Sequence, residues 1–536
     1  MQVELTNKEK SMLFWASFLS LMAAGVGFVF RGMIPTIWAD AFQITLADVG
    51  ALTGAALWPI AVAMIVFSLL VDKIGYKISM LIAFVLQGCS VVLTVIAKDV
   101  NAMWWACFCA GLGHGVVEAV INPLCASIYR EEKSKWLNIL HAAWPAGIVF
   151  GGAAYILLIG TEGTMNWGDV KWIFWVMLAP VLLYGVMFIL CKKFPVDERV
   201  EAGVGYGEML KEFGGLGIFL AASFIIYEVL PKFGAHFGDN HLYICLAIGA
   251  AIGLISGFLL KAKGHILFFI LCLIMIPLAT AEIATDGWIR SLMEPIMGAK
   301  LAAWALVFSA FVMMVLRFFA GVPLKYMNPP QLLLVSSVFS ILGLFALSMV
   351  SGPLIFIAFV FYAIGQTFYW PTVLGFVSEQ FPKGGAMTLN TVSAMGLLTV
   401  GIFGFPFLGA VQDSYSTKAI MKNEPALVEK VKNENITYKD NSNPEQSVDA
   451  PIYNVKNFFG VNYESINAGE FKKLDALTEE RVKVLDDTLA STSQSSLRVA
   501  AVLPAIMAVA FILIALWYKS KGGYKPVILN PTSKED

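Results

Sequence analysis

The chain has 536 residues, of which 58% are hydrophobic and only 14% charged, and its net charge is −1. A soluble domain carries roughly 25% charged residues, so this composition describes a chain that crosses a membrane many times. The near-zero charge excludes the basic field of a nucleic-acid binder.

Apolar stretches of about 20 residues, the length that spans a bilayer, lie near 11–39, 47–71, 76–97, 102–129, 137–160, 171–191, 213–232, 242–260, 265–289, 300–321, 331–350, 353–379, 385–410 and 496–518. They predict an all-α polytopic membrane protein with fourteen transmembrane helices. The first stretch is too long for a signal-peptide core and lacks a small-residue cleavage pattern, so no cleaved leader is expected. An even number of spans puts both termini on one side. The short loops after even-numbered spans hold Lys73, Lys77, Arg130, Lys133, Lys135, Lys192, Lys193, Arg199, Lys211, Lys261, Lys263, Lys325 and Lys383. The opposite loops hold only Lys98, Lys171, Lys232, Arg290 and Lys300. Positive-inside sorting therefore places both termini in the cytoplasm, with the cell (inner) membrane as the expected location.

These segments divide the chain into a first six-helix bundle (1–192), a cytoplasmic linker with an extra transmembrane hairpin (193–262), five helices of a second bundle (263–410), an extracytoplasmic insertion (411–495), and a last transmembrane helix with its tail (496–536). The insertion is polar and charged. Helical patterning marks 416–433 and 470–490, and Asp440 to Pro444 reads as a loop. A small cap or mobile loop without chemistry of its own is expected there.

Polar residues inside the spans carry the functional signal. Arg31, in the first span, either snorkels to the interface or approaches Glu118. Glu118 lies near the middle of the fourth span, where a carboxylate is costly and is usually retained for a task. His114 lies four residues before it and Asn122 four after, so all three share a helix face. The plainer alternative is a hydrogen-bond cluster that only holds helices together. In the fifth span Asn138, His141 and Trp144 form one stripe, an aromatic face beside polar tips that suits a sugar. Glu282 and Asp286 share a face at i and i+4, as do Gln366 and Trp370, and either pair reads as substrate site or as wall. Arg317 lies near a span end and reads as structural. Gly147 and Gly151 permit close helix packing.

No P-loop, His-Glu-x-x-His motif or nucleophile–base set occurs, so enzyme chemistry, cofactors and metals are not expected. Seven cysteines lie in or beside apolar runs, and no disulfide framework is expected.

Ser68-Leu-Leu-Val-Asp72-Lys73-Ile-Gly75-Tyr-Lys77 resembles the cytoplasmic signature of the major facilitator superfamily, with an acid, a glycine three residues on and then a base. Gly75 allows a tight reversal. Asp72 can accept from a neighbouring helix N-terminus, and the charged turn is a latch for rocking bundles. Glu118-Ala-Val-Ile-Asn122-Pro123 followed by Leu137-Asn138-Ile-Leu-His141-Ala-Ala-Trp144-Pro145 is similar to the fucose and glucose/galactose symporter branch. Residues 281–289 and 365–372 are similar to the seventh and tenth core helices of that branch. The resemblance covers 11–192 and 265–518 and lacks the branch's first-span acid, having Arg31 there instead.

The resemblance implies the major facilitator fold, here two six-helix bundles with a two-helix central insertion. It implies cation-coupled symport, of the proton most simply and Na⁺ as a variant, of a sugar or similar small hydrophilic solute by alternating access. Glu118, His114 and Arg31 would couple the proton. Asn122, Asn138, His141, Trp144, Glu282, Asp286, Gln366 and Trp370 would meet the solute, and Asp72, Gly75 and Lys77 would form the gate. The expected partners are the solute, the coupling ion and the lipid bilayer, with the chain a monomer. The alternatives are a transporter-like membrane sensor and a facilitator for a nucleoside, an organic acid or a drug.

Overall fold

The structure is a computed structural model that describes residues 4–42, 44, 46–160, 165–440 and 448–529. Most of the loop expected at Asp440 to Pro444 lies outside the described residues. Among the described residues, thirteen helical runs are long and apolar enough to cross a bilayer. They are α1 (Asn7–Met33), a run Leu52–Ile96 holding α2 (52–74) and α3 (76–96), α4 (Val100–Ile128), α5 (Arg130–Leu158), α6 (Trp167–Leu190), α7 (Tyr206–Phe233), α8 (His241–Leu260), α9 (Ile266–Arg290), α10 (Ala299–Lys325), α11 (Pro329–Leu347), α12 (Leu354–Gln380), α13 (Pro382–Asn423) and α14 (Glu479–Ser520).

The run Leu52–Ile96 has 45 residues, ~67 Å of helix at ~1.5 Å per residue and twice the thickness of a bilayer core. Gly75 divides it, with φ +82 and ψ 157 that only glycine adopts freely. A Cβ on Gly111 of α4 would lie 2.9 Å from Ala56 O, and one on Gly113 would lie 3.0 Å from Gln87 N. One short piece of α4 thus touches both parts of the run, so the chain has turned back at Gly75. The run is two antiparallel spans, and the total is fourteen, as the apolar pattern predicts.

Helix starts follow local chemistry. Thr6 and Glu9 form a capping box before α1, Asp99 accepts from Ala102 N before α4, and Asn328 and Gln331 cap α11. Glycines set the closest crossings. A Cβ on Gly147 of α5 would lie 2.3 Å from Met22 O, and one on Gly365 of α12 would lie 2.3 Å from Ser340 N. Gly151 meets Val26 and Val29 of α1, so the Gly147/Gly151 pair does let two backbones approach. The hairpin α7–α8 packs on itself and, through α7, on α13. Leu254, Phe258 and Leu259 of α8 stay exposed, as a lipid-facing helix requires.

The polar insertion folds differently from expectation. Helix α13 does not end at 410 but runs on to Asn423, and the helix that becomes the last span begins at Glu479, capped by Thr478. Polarity here marks where a helix leaves the membrane rather than where it stops. The helix expected at 416–433 is two, interrupted at Glu424 before Pro425. Two hairpins were not foreseen: β1 (Thr437–Asp440) with β2 (Val448–Pro451), and β3 (Tyr453–Phe458) with β4 (Val461–Ile466), both antiparallel. Ile420, Leu427, Val431, Ile466, Phe471 and Leu485 give this cap a core of its own.

Candidate functional site

Glu118 is buried on α4. Its Oε2 accepts from Asn122 Nδ2 at 2.8 Å, and His114 Nε2 lies 3.7 Å from its Oε1. Asn122 Oδ1 in turn lies 2.8 Å from His141 Nε2. A continuous polar chain therefore links α4 to α5. The Trp144 ring stacks on His114, centroids 5.4 Å apart and planes at 20°, with Phe28 of α1 on its other flank at 5.1 Å. Helix α5 is interrupted at Ala142, between His141 and Ala143, just before Pro145, which has no N–H to continue the ladder.

The second half answers with charge. Helix α9 carries a π-helical turn over Thr280–Ala284, shortly after Pro277; such turns often occur at functional sites. Glu282 sits on it, buried. Its Oε1 accepts from Arg317 Nη2 at 2.7 Å and its Oε2 from Trp370 N at 3.2 Å. Arg317 is 1% exposed. Its Nε donates to Thr367 O at 2.6 Å and its Nη1 to His141 O at 2.9 Å, the latter across the two halves. Asn138 makes a neighbouring crossing bond, Nδ2 to Thr372 Oγ1 at 3.1 Å. Asp286 Oδ1 accepts from Tyr362 Oη at 2.8 Å.

Contacts bridge the two halves at both ends of this central cluster. At the basic end Asp72 pairs with Arg199, Lys133 Nζ lies 2.5 Å from Glu198, Arg130 lies 2.5 Å from Glu201, and Ser134 Oγ donates to Glu379 of α12. A Cβ on Gly375 would lie 2.4 Å from Ser134 Oγ, so α5 and α12 meet tightly there. Lys77 donates to Ile189 O at 2.8 Å and Cys191 O at 3.0 Å, carbonyls at the C-terminus of α6. Asp197 caps the turn before Arg199, accepting its N–H at 2.9 Å. Burial pushes the Asp197 carboxyl up to about 6, and the Asp72 charge adds to this. At the opposite end a Cβ on Gly152 of α5 would meet Val307 of α10 at 2.8 Å, and Arg290 reaches Met33.

The structure brings Glu118, His114, Asn122, Asn138, His141 and Trp144 together with Glu282, and places Asp286 and Gln366 beside that group. It corrects the pattern in four places. Arg31 does not join the coupling cluster. It folds back over Gly27 and faces Cys107, eleven residues or ~16 Å of helix from Glu118. Glu282 and Asp286 do not act as one i,i+4 face, because the π turn adds a residue and sends them to different partners. Gln366 and Trp370 also diverge, because α12 breaks between Thr367 and Tyr369. Gln366 Nε2 donates to Ala281 O at 2.5 Å, while the Trp370 ring lies on Gly396 of α13. Asp72 meets the Arg199 side chain rather than a helix N-terminus.

Two residues at these sites were not foreseen. Arg317 was read as structural, and Arg199 only as a loop charge. The signal for Arg317 was present in the sequence: Pro145 and Pro371 stand four residues after His141 and Thr367, and deprive those carbonyls of their helical donors.

Two halves of membrane-spanning helices around a buried polar cluster define a multi-pass transporter fold. The family model for the Major Facilitator Superfamily matches residues 13–293, more than half of the chain, and the chain belongs to that superfamily. Protein TsgA of Salmonella newport (strain SL254) is 25% identical over 236 residues, which is 43% of this chain and 57% of that protein, so the match spans little more than half of that relative. Among solved structures, FucP in the outward conformation superposes with a TM-score of 0.54 at 16% identity, covering 75% of this chain and 92% of that one. The proton:xylose symporter XylE, bound to 6-bromo-6-deoxy-D-glucose, superposes with a TM-score of 0.57 at 14% identity, covering 78% and 91%. At these identities the likeness shows the fold.

Proposed function

We propose that the chain is a secondary active transporter that moves a sugar or similarly small hydrophilic solute together with a proton, by alternating access. The observation that carries this reading is the buried chain Glu118–Asn122–His141 beside the Trp144 ring, at the junction of the two halves. Its carboxylate faces an amide and imidazoles and, among the described residues, no guanidinium or ammonium pairs with it, so adding a proton removes a buried charge and lets the loaded carrier reorient. Asn122, Asn138, His141, Trp144, Glu282, Asp286, Gln366 and Trp370 supply donors, acceptors and an aromatic face of the kind that hold a polyol ring. The shared fold of XylE, a proton:xylose symporter, and FucP, the E. coli fucose:proton symporter, supports this solute class.

In this reading residues 1–192 rock against the second bundle, which comprises 263–410 and the last helix. The Asp72, Gly75 and Lys77 turn sits at the cytoplasmic gate, and both termini lie in the cytoplasm of a cell with an inner membrane. A melting-temperature screen of the purified protein against sugars, polyols, nucleosides and organic acids identifies the solute, since a ligand that binds only the folded state stabilises it. In proteoliposomes, Glu118→Gln should retain counterflow exchange of that solute and lose pH-driven accumulation. Accumulation that survives Glu118→Gln removes Glu118 from coupling. Loss of exchange as well makes it a solute or packing residue instead.

A further inference from the structure

Arg317 touches three different elements. Its Nη2 meets Glu282 Oε1 on the π turn, its Nε meets Thr367 O at the end of the first part of α12, and its Nη1 meets His141 O at the break in α5. The two carbonyls have a common origin. In an unbroken helix the His141 carbonyl would accept from residue 145 and the Thr367 carbonyl from residue 371. Both are prolines, so neither carbonyl has that donor. An unsatisfied carbonyl in a dry membrane interior is costly. The planar guanidinium presents five donors in a fixed fork and reaches both orphans at once while its charge is met by Glu282.

We propose that Arg317 is a positioning residue: a clamp that plugs the two proline-freed carbonyls, joins the two halves in the closed state, and must release His141 O whenever the halves separate. This rests on the reading that the two halves rock about the site. Thr367 O and Glu282 belong to the same half as Arg317, so those bonds travel with it. The His141 bond crosses to the other half, and it is the charge-assisted bond of the crossing pair, its neighbour Asn138–Thr372 being neutral. His141 also anchors the chain to Glu118 through Asn122. The clamp therefore connects the charged pair of one half to the carboxylate of the other through His141 and Asn122.

The test needs no solute. Nitroxide labels on Glu131→Cys and Lys325→Cys, both exposed and lining one cleft of about 700 Å³ at the basic end, read separation there. Labels on Lys98→Cys and Lys300→Cys, also exposed, read the opposite end. Exposed Cys89 is first replaced by serine. Arg317→Lys keeps the charge opposite Glu282 but cannot span three acceptors. Pro145→Ala changes no charge, yet restores an N–H that competes for His141 O. Both variants should raise the open-to-closed population ratio at one end by roughly tenfold, the weight of one charge-assisted bond. Distance distributions unchanged in both variants overturn the clamp. So does widening in Arg317→Lys with none in Pro145→Ala, because the charge rather than the carbonyl would then hold the halves. If Arg317→Lys does not fold, Pro145→Ala decides alone. Failure of the proton-coupling reading appears separately, in the transport of Glu118→Gln.

Discussion

Glu118 and Glu282 are both buried carboxylates in the middle of the membrane, one in each half, and they are satisfied in opposite ways. Glu282 faces a guanidinium at 2.7 Å that is locked in place by two backbone carbonyls. Glu118 has an amide at 2.8 Å and an imidazole at 3.7 Å. Removing a charge from the first pair strands its partner. Removing the charge of Glu118 strands nothing. On the proposed mechanism the difference separates two jobs: Glu282 is held by its ion pair and keeps the architecture, and Glu118 exchanges a proton.

The largest expected effect tests that contrast directly. Glu282→Gln leaves Arg317 buried without its directly paired carboxylate and should cost about 3–5 kcal/mol, seen as a steep fall in melting temperature in detergent. The double variant Glu282→Gln with Arg317→Gln should recover only the part due to the unpaired charge, because the His141 and Thr367 carbonyls then lose their donor. Glu118→Gln should cost about 1 kcal/mol or less, since the amide keeps a hydrogen-bonding group at the position. Equal losses from the two single variants would erase the distinction. Next in size is packing at the basic gate. Gly375→Val would force side-chain atoms against Ser134, a strain of about 1–3 kcal/mol, and should wedge that end apart in the same label-distance measurement. A normal closed distance would show that α5 and α12 need not touch there.

Trp144→Ala should weaken solute binding by ~1 kcal/mol while the protein stays folded, measured as a smaller ligand-induced melting shift. An unchanged shift would move the solute away from the Glu118 half. The smallest effect is one of pH at the gate. Asp197 has a folded value of about 6 against an ordinary 3.8, so the folded protein binds its proton more tightly than the unfolded chain does. Its contribution to stability is therefore full below about 4 and is lost as pH rises through about 6. Asp197→Asn should flatten that part of the melting-temperature profile. A profile identical to wild type would locate the pH response elsewhere.

The membrane architecture could be read from hydropathy because a bilayer imposes one length on every span, and only the Gly75 turn had to be resolved within a continuous run. The Glu118 face was legible for a similar reason: His114, Glu118 and Asn122 lie on one unbroken stretch of helix, where spacing determines facing. Legibility failed where helices break. The π turn at 280–284 and the interruption at Phe368 cancel the i,i+4 rule for Glu282/Asp286 and Gln366/Trp370. Arg317 was missed because two of its three partners are backbone carbonyls, visible only through the prolines that expose them, and the third, Glu282, lies 35 residues away in the chain. Arg199 was missed because its partner Asp72 lies 127 residues away in the chain. In the cap, strands of only four to six residues carried too little alternation to stand out from loop.

The cap has a mechanical consequence. It rises on α13 and α14 and is pinned to one side of the molecule by named contacts: Gln494 donates to Leu347 O and Val350 O, Arg498 to Ser348, and the Phe458 and Phe459 rings lie against Phe403. Those anchors all belong to the second half. The stretch Phe405–Asn423 alone has 19 residues, a rigid arm of ~28 Å. A small tilt of that half about the central cluster becomes a larger sweep at the tip of the arm, so the cap works as a pointer. A fluorophore or antibody fragment fixed to it would register the tilt of one half, amplified, while the other stays silent.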